Sequence, residues 1–347
     1  MKELKYLLAY IIPASTVVAL YFKGSYSYAT LVVAFGIIPL LELVIPSNAQ
    51  NIAEENEPAL LSLRIYDLLL YAMVPLQYGI LGYFMFVLTS SDLALYEIIG
   101  LVISVGIQNG AVGINVAHEL GHRTTKFEQF LSKTLLLTSL YMHFFIEHNR
   151  GHHKYVSTPK DPATARLNET VYRFWFRSII GSFLSAWHIE KTELAKHNKS
   201  IWSLNNQMLQ FIFLQLVLTI LAYLFAGISG VICFASSALI GILLLETVNY
   251  VEHYGLLRKE ISPGKYERVQ PHHSWNSDQV LGRLVLFELT RHSDHHYKAS
   301  RKYQILRHMS QSPQLPTGYP GSMLLSLVPP LWFRAVNGLV HYLRRLN

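Results

Sequence analysis

The chain has 347 residues, 51% hydrophobic and only 15% charged, and its mean hydropathy of +0.26 is too high for an ordinary soluble protein of this size. The single cysteine, Cys233, lies in an apolar run. It excludes an intramolecular disulfide framework, a cysteine-ligated zinc site and an iron–sulfur cluster held by this chain alone. The net charge of +7 is unevenly placed: of 29 Lys and Arg, 12 fall in residues 118–206 and 13 in residues 252–347. Such a bias marks the cytoplasmic side of a membrane protein, and it argues against nucleic acid as the partner of these residues.

Six apolar stretches are long enough to cross a bilayer as helices, which takes about 20 residues each. They are residues 4–22, 26–46, 65–88, 93–117, 207–228 and 230–251. The first runs into the second with no small-residue cleavage site, so it reads as a span and not as a removable signal. Short turns at residues 23–25, 89–92 and 227–230 pair the six into three hairpins, with both termini on the cytoplasmic side. The loop of residues 47–63, with Glu54, Glu55 and Glu57, departs from the basic pattern, but acidic residues weigh little in that rule. The expected fold is an all-α integral membrane protein of six transmembrane helices, one domain over residues 1–347, with a cytoplasmic histidine-ligated dimetal site.

That site is read from four short clusters. Going along the chain they are His118-Glu119-Leu120-Gly121-His122, Glu147-His148-Asn149-Arg150-Gly151-His152-His153, Glu252-His253 and Arg291-His292-Ser293-Asp294-His295-His296. Side chains three and four apart share a helix face, so His118/His122, His148/His152 and His292/His295/His296 each converge. Imidazole suits zinc, copper and iron, and one ion rarely takes more than five or six ligands. Nine histidines are too many for one metal and suit two. Their meeting requires that residues 127–146, though apolar, dip and return without crossing. Residues 170–200 read as an amphipathic interfacial helix, and residues 323–332, with Pro329-Pro330, as interfacial.

The first cluster also fits the H-E-x-x-H pattern of zinc metalloproteases. A membrane protease is therefore the competing reading, but it leaves seven of the nine histidines without a task. Metal-bound histidines usually donate their other ring N–H to a carboxylate, and the candidates are Glu119, Glu147, Asp161, Glu252 and Asp294. His272 and His273 stay outside the metal shell. No glycine-rich dinucleotide fingerprint is present, so any electrons come from another protein.

These clusters, with Asn249-Tyr250-Val251-Glu252-His253-Tyr254-Gly255-Leu256, Asp161-Pro162-Ala163-Thr164, residues 271–276 and residues 312–319, resemble the signature of the membrane alkane 1-monooxygenases. Histidine boxes alone would also admit fatty-acid desaturases and xylene-type hydroxylases; the motif at residues 249–256 narrows the choice. The resemblance implies a non-haem diiron centre with nine histidine ligands: His118, His122, His148, His152, His153, His253, His292, His295 and His296. It implies terminal hydroxylation of an alkane taken from the membrane lipid, with O2 as co-substrate. The same resemblance implies that electrons come from rubredoxin, with rubredoxin reductase upstream, at a bacterial inner membrane. Rubredoxins are small and acidic, and Arg258, Lys259, Lys265, Arg268, Arg301 and Lys302 are candidate docking residues. Small residues at Ala34 and Gly36 in the second span mark close helix packing or, alternatively, the far end of a substrate channel.

Overall fold

In lipid only a helix satisfies its own backbone donors and acceptors, and the apolar runs take that form. The computed structural model describes residues 2–346. Four helices long and apolar enough to cross a bilayer come first: α1 (Glu3–Phe22), α2 (Gly24–Glu42), α3 (Ile65–Ser90) and α4 (Leu95–Gly121). After α5 (Lys126–Thr138), α6 (residues 144–155) and α7 (Val171–Lys196) comes a fifth such helix, α8 (Gln207–His253). A small antiparallel hairpin, β1 (Glu260–Ser262) and β2 (Lys265–Tyr266), precedes α9 (Val280–Val285), α10 (His292–Tyr297), α11 (Tyr319–Ser326) and α12 (Pro329–Leu346).

The first two hairpins are tied at their turns. The Gly24 N–H donates to Glu97 Oε1 at 2.6 Å, and the same carboxylate caps α4 by accepting from the Ala94 N–H. Lys23 Nζ reaches Ser91 Oγ at 2.8 Å. The third hairpin lies inside α8. Its 47 residues would make a rod about 70 Å long, but Ala226 and Gly227 leave helical geometry, Gly227 at φ +63°. Gln215 accepts from the Met142 N–H at 3.0 Å and Glu246 from the Tyr141 hydroxyl at 2.9 Å. A straight helix would hold residues 215 and 246 about 46 Å apart, so the two arms fold back on each other. The second arm packs closely on α4, where a Cβ on Gly106, Gly110 or Gly241 would run into Ile240, Leu244 or Asn109. Small residues serve this kind of contact in membrane helices.

Residues 127–146 form no helix long and apolar enough to cross a bilayer. Thr125 caps α5 by accepting from the Glu128 N–H, and the helix stops after 13 residues, about 20 Å against a hydrocarbon core of about 30 Å. Leu140, at φ +51°, turns the chain into α6. The segment thus returns to the end of α4 that it left. α7 buries Phe174, Ser178 and Ala186 and exposes Phe176, Ile180 and Leu184, the two-faced pattern its sequence suggested. α11 and α12 meet at 118°, with Trp332 and Val340 packed under Tyr250 and Tyr254.

Both chain ends lie where α4 and α8 end. Tyr6 donates to Glu288 at 2.8 Å, and Arg344 donates to the Gly255 carbonyl at 2.8 Å. The acidic loop also has a reason: Glu54 and Glu57 each hold Arg307 at 2.6 Å. Arg291, just before α10, donates to the carbonyls of Gln50 (2.8 Å) and Leu306 (2.7 Å). The loop is a strap across the segment that carries His292, His295 and His296.

Candidate metal centre

All nine histidines meet. They form two groups, His118/His122/His148/His153/His295 and His152/His253/His292/His296, with the donor atoms in each within 4.8 Å of one another. α4 supplies His118 from its last turn and His122 as the residue that caps it, and α8 supplies His253 as its final residue. α6 and α10 each contribute to both groups. This corrects the expectation that His148 and His152 converge, and that His292, His295 and His296 do. Residues 148–152 form a π-turn, whose wider turn brings positions five apart onto one face. His148 and His153 therefore meet, Nε2 to Nε2 at 3.1 Å, and His152 turns to the other group. On α10, His292 and His296 lie 2.9 Å apart and His295 faces His118 at 3.0 Å.

The donor set fits metal ions. Neighbouring Nε2 atoms sit 2.9–3.3 Å apart around each group. An ion about 2.1 Å from ligands at right angles sets neighbouring nitrogens about 3.0 Å apart. Burial, then the neighbouring rings, push His148, His292, His295 and His296 well below the ordinary imidazolium range. Those four rings are thus neutral, with lone pairs free to bind.

Asp161 orients one of them. His152 Nδ1–H donates to Asp161 Oδ2 at 2.9 Å, which fixes the tautomer and leaves Nε2 for the metal side. Burial opposes the Asp161 charge, but His152 and the Thr164 hydroxyl hold its pKa below the usual carboxylate value. The Asp161→Asn variant is expected to weaken metal retention in the four-histidine group 10–100-fold, roughly the cost of losing such a partner. Chelator titration with metal analysis reads it; unchanged retention would show that Asp161 only shapes its turn.

An apolar cavity ends on the histidines. His118, His148, His292 and Glu252 form one end, and Ile12, Ala34 and Ile107 line it further along. Ile107 precedes His118 by three turns of α4, so the cavity runs about 16 Å along that helix.

The fatty acid desaturase family model matches residues 93–325, most of the chain. Alkane 1-monooxygenase 1 of Alcanivorax borkumensis is 39% identical over 336 residues, 95% of this chain and 83% of the relative. The alkane 1-monooxygenase of Pseudomonas putida is 41% identical over 313 residues, 90% of this chain and 77% of the relative. This chain belongs to the alkane 1-monooxygenase family. A xylene/toluene monooxygenase hydroxylase component of Pseudomonas putida is more distant, at 28% identity over 97% of the chain.

Within this family member, three of the five proposed carboxylate partners serve other groups. Glu119 binds Arg123 at 2.7 Å and accepts from the Tyr303 N–H, so it is not free to act as a protease base. Asp294 binds Arg301 at 2.5 Å and the Arg307 N–H at 2.9 Å. Glu147 is buried against α7, with Ser185 at 3.5 Å. Glu252 Oε2 lies 3.2 Å from His292 Nε2, the metal-facing nitrogen rather than the outer one, and Tyr319 donates to its Oε1. His273 is engaged by the Gln270 N–H and Glu267, and His272 meets it edge-on; neither joins a group.

Arg258, Arg301 and Lys302 are occupied too, by the Glu267 carbonyl, Asp294 and Asp67 respectively. Lys259, Lys265 and Arg268 remain exposed beside the hairpin. Sequence reasoning passed over Thr164, Tyr319 and Glu246. Glu246, fully buried with Tyr141 as donor, was signalled by a lone acid in the run Leu243-Leu244-Leu245-Glu246.

Proposed function

We propose that this chain hydroxylates the terminal methyl group of medium- to long-chain n-alkanes, giving primary alcohols. The reaction consumes O2, two electrons and two protons; one oxygen enters the product and the other leaves as water. The observation that carries this reading is an apolar cavity that ends at His118, His148 and His292, members of a five-histidine and a four-histidine group. A zinc protease needs neither the second group nor a cavity without polar specificity contacts.

Two iron ions suit the site, one held by each histidine group, and when bound they would supply the reductive activation of O2 that breaking an unactivated C–H bond demands. The residues of the chain do the rest. Asp161 keeps the His152 proton on Nδ1. The walls around Phe144 and Leu245 exclude water and admit the hydrocarbon end-on. A methyl group is less reactive than the methylenes behind it, so end-on placement decides the position of attack. The protein supports this as one membrane-embedded domain of six crossings in the inner membrane, with the centre and both termini cytoplasmic. Rubredoxin, reduced by its reductase, supplies the electrons from that side, through the exposed Lys259, Lys265 and Arg268.

The test is turnover by membranes holding the chain, with octane, reduced rubredoxin and isotopically labelled O2. Labelled 1-octanol should appear, and its rate should fall as salt rises. An unsaturated or internally hydroxylated product, or peptide cleavage without O2, would replace this reading.

A further inference from the structure

Phe35 forms part of the wall of the catalytic cavity, and two further pockets share that side chain. One pocket opens among Leu31, Ile240, Leu243 and Leu327 and is mainly apolar, its Thr247 hydroxyl engaged by Trp175 Nε1 at 3.0 Å. The other opens among Gly36, Glu42, Gln279, Thr317 and Gly318. Glu42 is the last residue of α2 and only 5% exposed. Its Oε1 accepts from the Gly282 N–H at 2.8 Å, while its Oε2 has no partner. Gly318 packs so tightly on this carboxylate that a Cβ there would collide with it. A buried acceptor left unpaired is costly, and it marks a place where a donor gains by binding.

The position of the pocket suits a particular donor. α2 ends at Glu42 on the side where α4 ends in His118 and α8 in His253. Gly282, which holds Glu42, itself lines the catalytic cavity beside His292. Phe35 sits in a π-turn, residues 33–37, a backbone form common at functional sites. An alkane has nothing to offer Glu42. The hydroxyl made from it does, and it is made at the same depth.

We infer that the Glu42 pocket is a product subsite: the new primary alcohol passes Phe35 hydroxyl-first and donates its hydrogen bond to the Glu42 carboxylate, one oxygen of which has no protein partner. The inference rests on alkane hydroxylation as the reaction of the neighbouring cavity. It gives substrate and product separate mouths, the apolar one for the alkane and the carboxylate-lined one for the alcohol. Release then avoids competition with the next alkane.

Photolabelling of the purified full chain tests this. Two probes of equal length carry a diazirine near one end, one a 1-alkanol with the diazirine beside the hydroxyl, the other the alkane. The alcohol probe should label residues 36–43 and 316–321; the alkane probe should label the cavity, residues 107–111 and 244–249. Glu42→Ala should cut alcohol labelling of residues 316–321 roughly tenfold, the factor expected of one hydrogen bond to a buried charged acceptor. Gly36→Leu keeps Glu42 and its Gly282 bond. Its Cβ has room, with nothing closer than Val32 at 3.9 Å, and the added side chain should block the pocket to the same extent. Equal labelling by both probes, survival of the label in both variants, or its displacement by phospholipid but not by 1-octanol overturns the inference. Labelling needs no turnover. A chain that hydroxylates octane yet shows no alcohol preference here would sink the subsite alone; one that makes no alcohol would sink the reaction on which it rests.

Discussion

His148→Ala is expected to remove one iron of two and to lower alkane turnover by at least about three orders of magnitude, the several kcal/mol that a metal site contributes to a barrier. His148 sits inside its group, 3.0 Å from His122 and 3.1 Å from His153, so truncation opens a gap that four remaining rings must close. His292→Ala should remove the other iron, because His292 lies 3.1 Å from His253 and 2.9 Å from His296. His272→Ala is the control: its ring meets His273 edge-on and belongs to neither group, so two irons should remain. Iron per chain by elemental analysis, with the melting temperature before and after chelation, decides the matter. Neutral imidazoles crowded in the interior gain stability from a bound ion, so chelation should lower the melting temperature of the parent more than that of the variants. Zinc at one per chain, or two irons retained in His148→Ala, would defeat the assignment.

The second large effect concerns chain length. Ala34→Trp should end turnover of long alkanes while octane remains a substrate. Ala34 is 7% exposed and lines the cavity on the same side as Ile12 and Ile107. Each methylene buried there contributes about 0.8 kcal/mol, close to a fourfold preference per carbon until the channel ends. A tryptophan at this position ends it early. Turnover measured across a series of alkanes should drop abruptly at one length; a uniform loss at all lengths would mean the bulky ring has merely disturbed α2.

The contrast between Ala34 and Gly36 shows what was legible in the chain and what was not. Both are small residues among bulky ones, and that pattern alone left packing and channel as alternatives. A π-turn across residues 33–37 decides which way each points: Ala34 to the catalytic cavity, Gly36 to the Glu42 pocket. The nine histidines stood out because imidazole clusters beside apolar runs have few other uses. Their division into five and four was hidden, since α-helical spacing pairs His148 with His152 and only the π-turn pairs His148 with His153. The return of residues 127–146 was predictable from the need for the clusters to meet. The carboxylates were not assignable, because a short segment gives no sign of whether Asp294 faces a histidine or an arginine several residues on.

The π-turns carry one further consequence. Three of them, at residues 33–37, 109–114 and 148–152, each contribute residues to the cavity or the histidine groups. Each amounts to one residue inserted into a regular helix. Were the turn at residues 109–114 to close to α geometry with the residue count unchanged, His118 and His122 would swing by about 100° around the axis, and the composition of the chain would stay the same. Changes in loop length leave such a helix untouched, but the histidines keep their bearing on the cavity only while these turns stay wide, so a substitution favouring α geometry there would turn ligands away with no change in length.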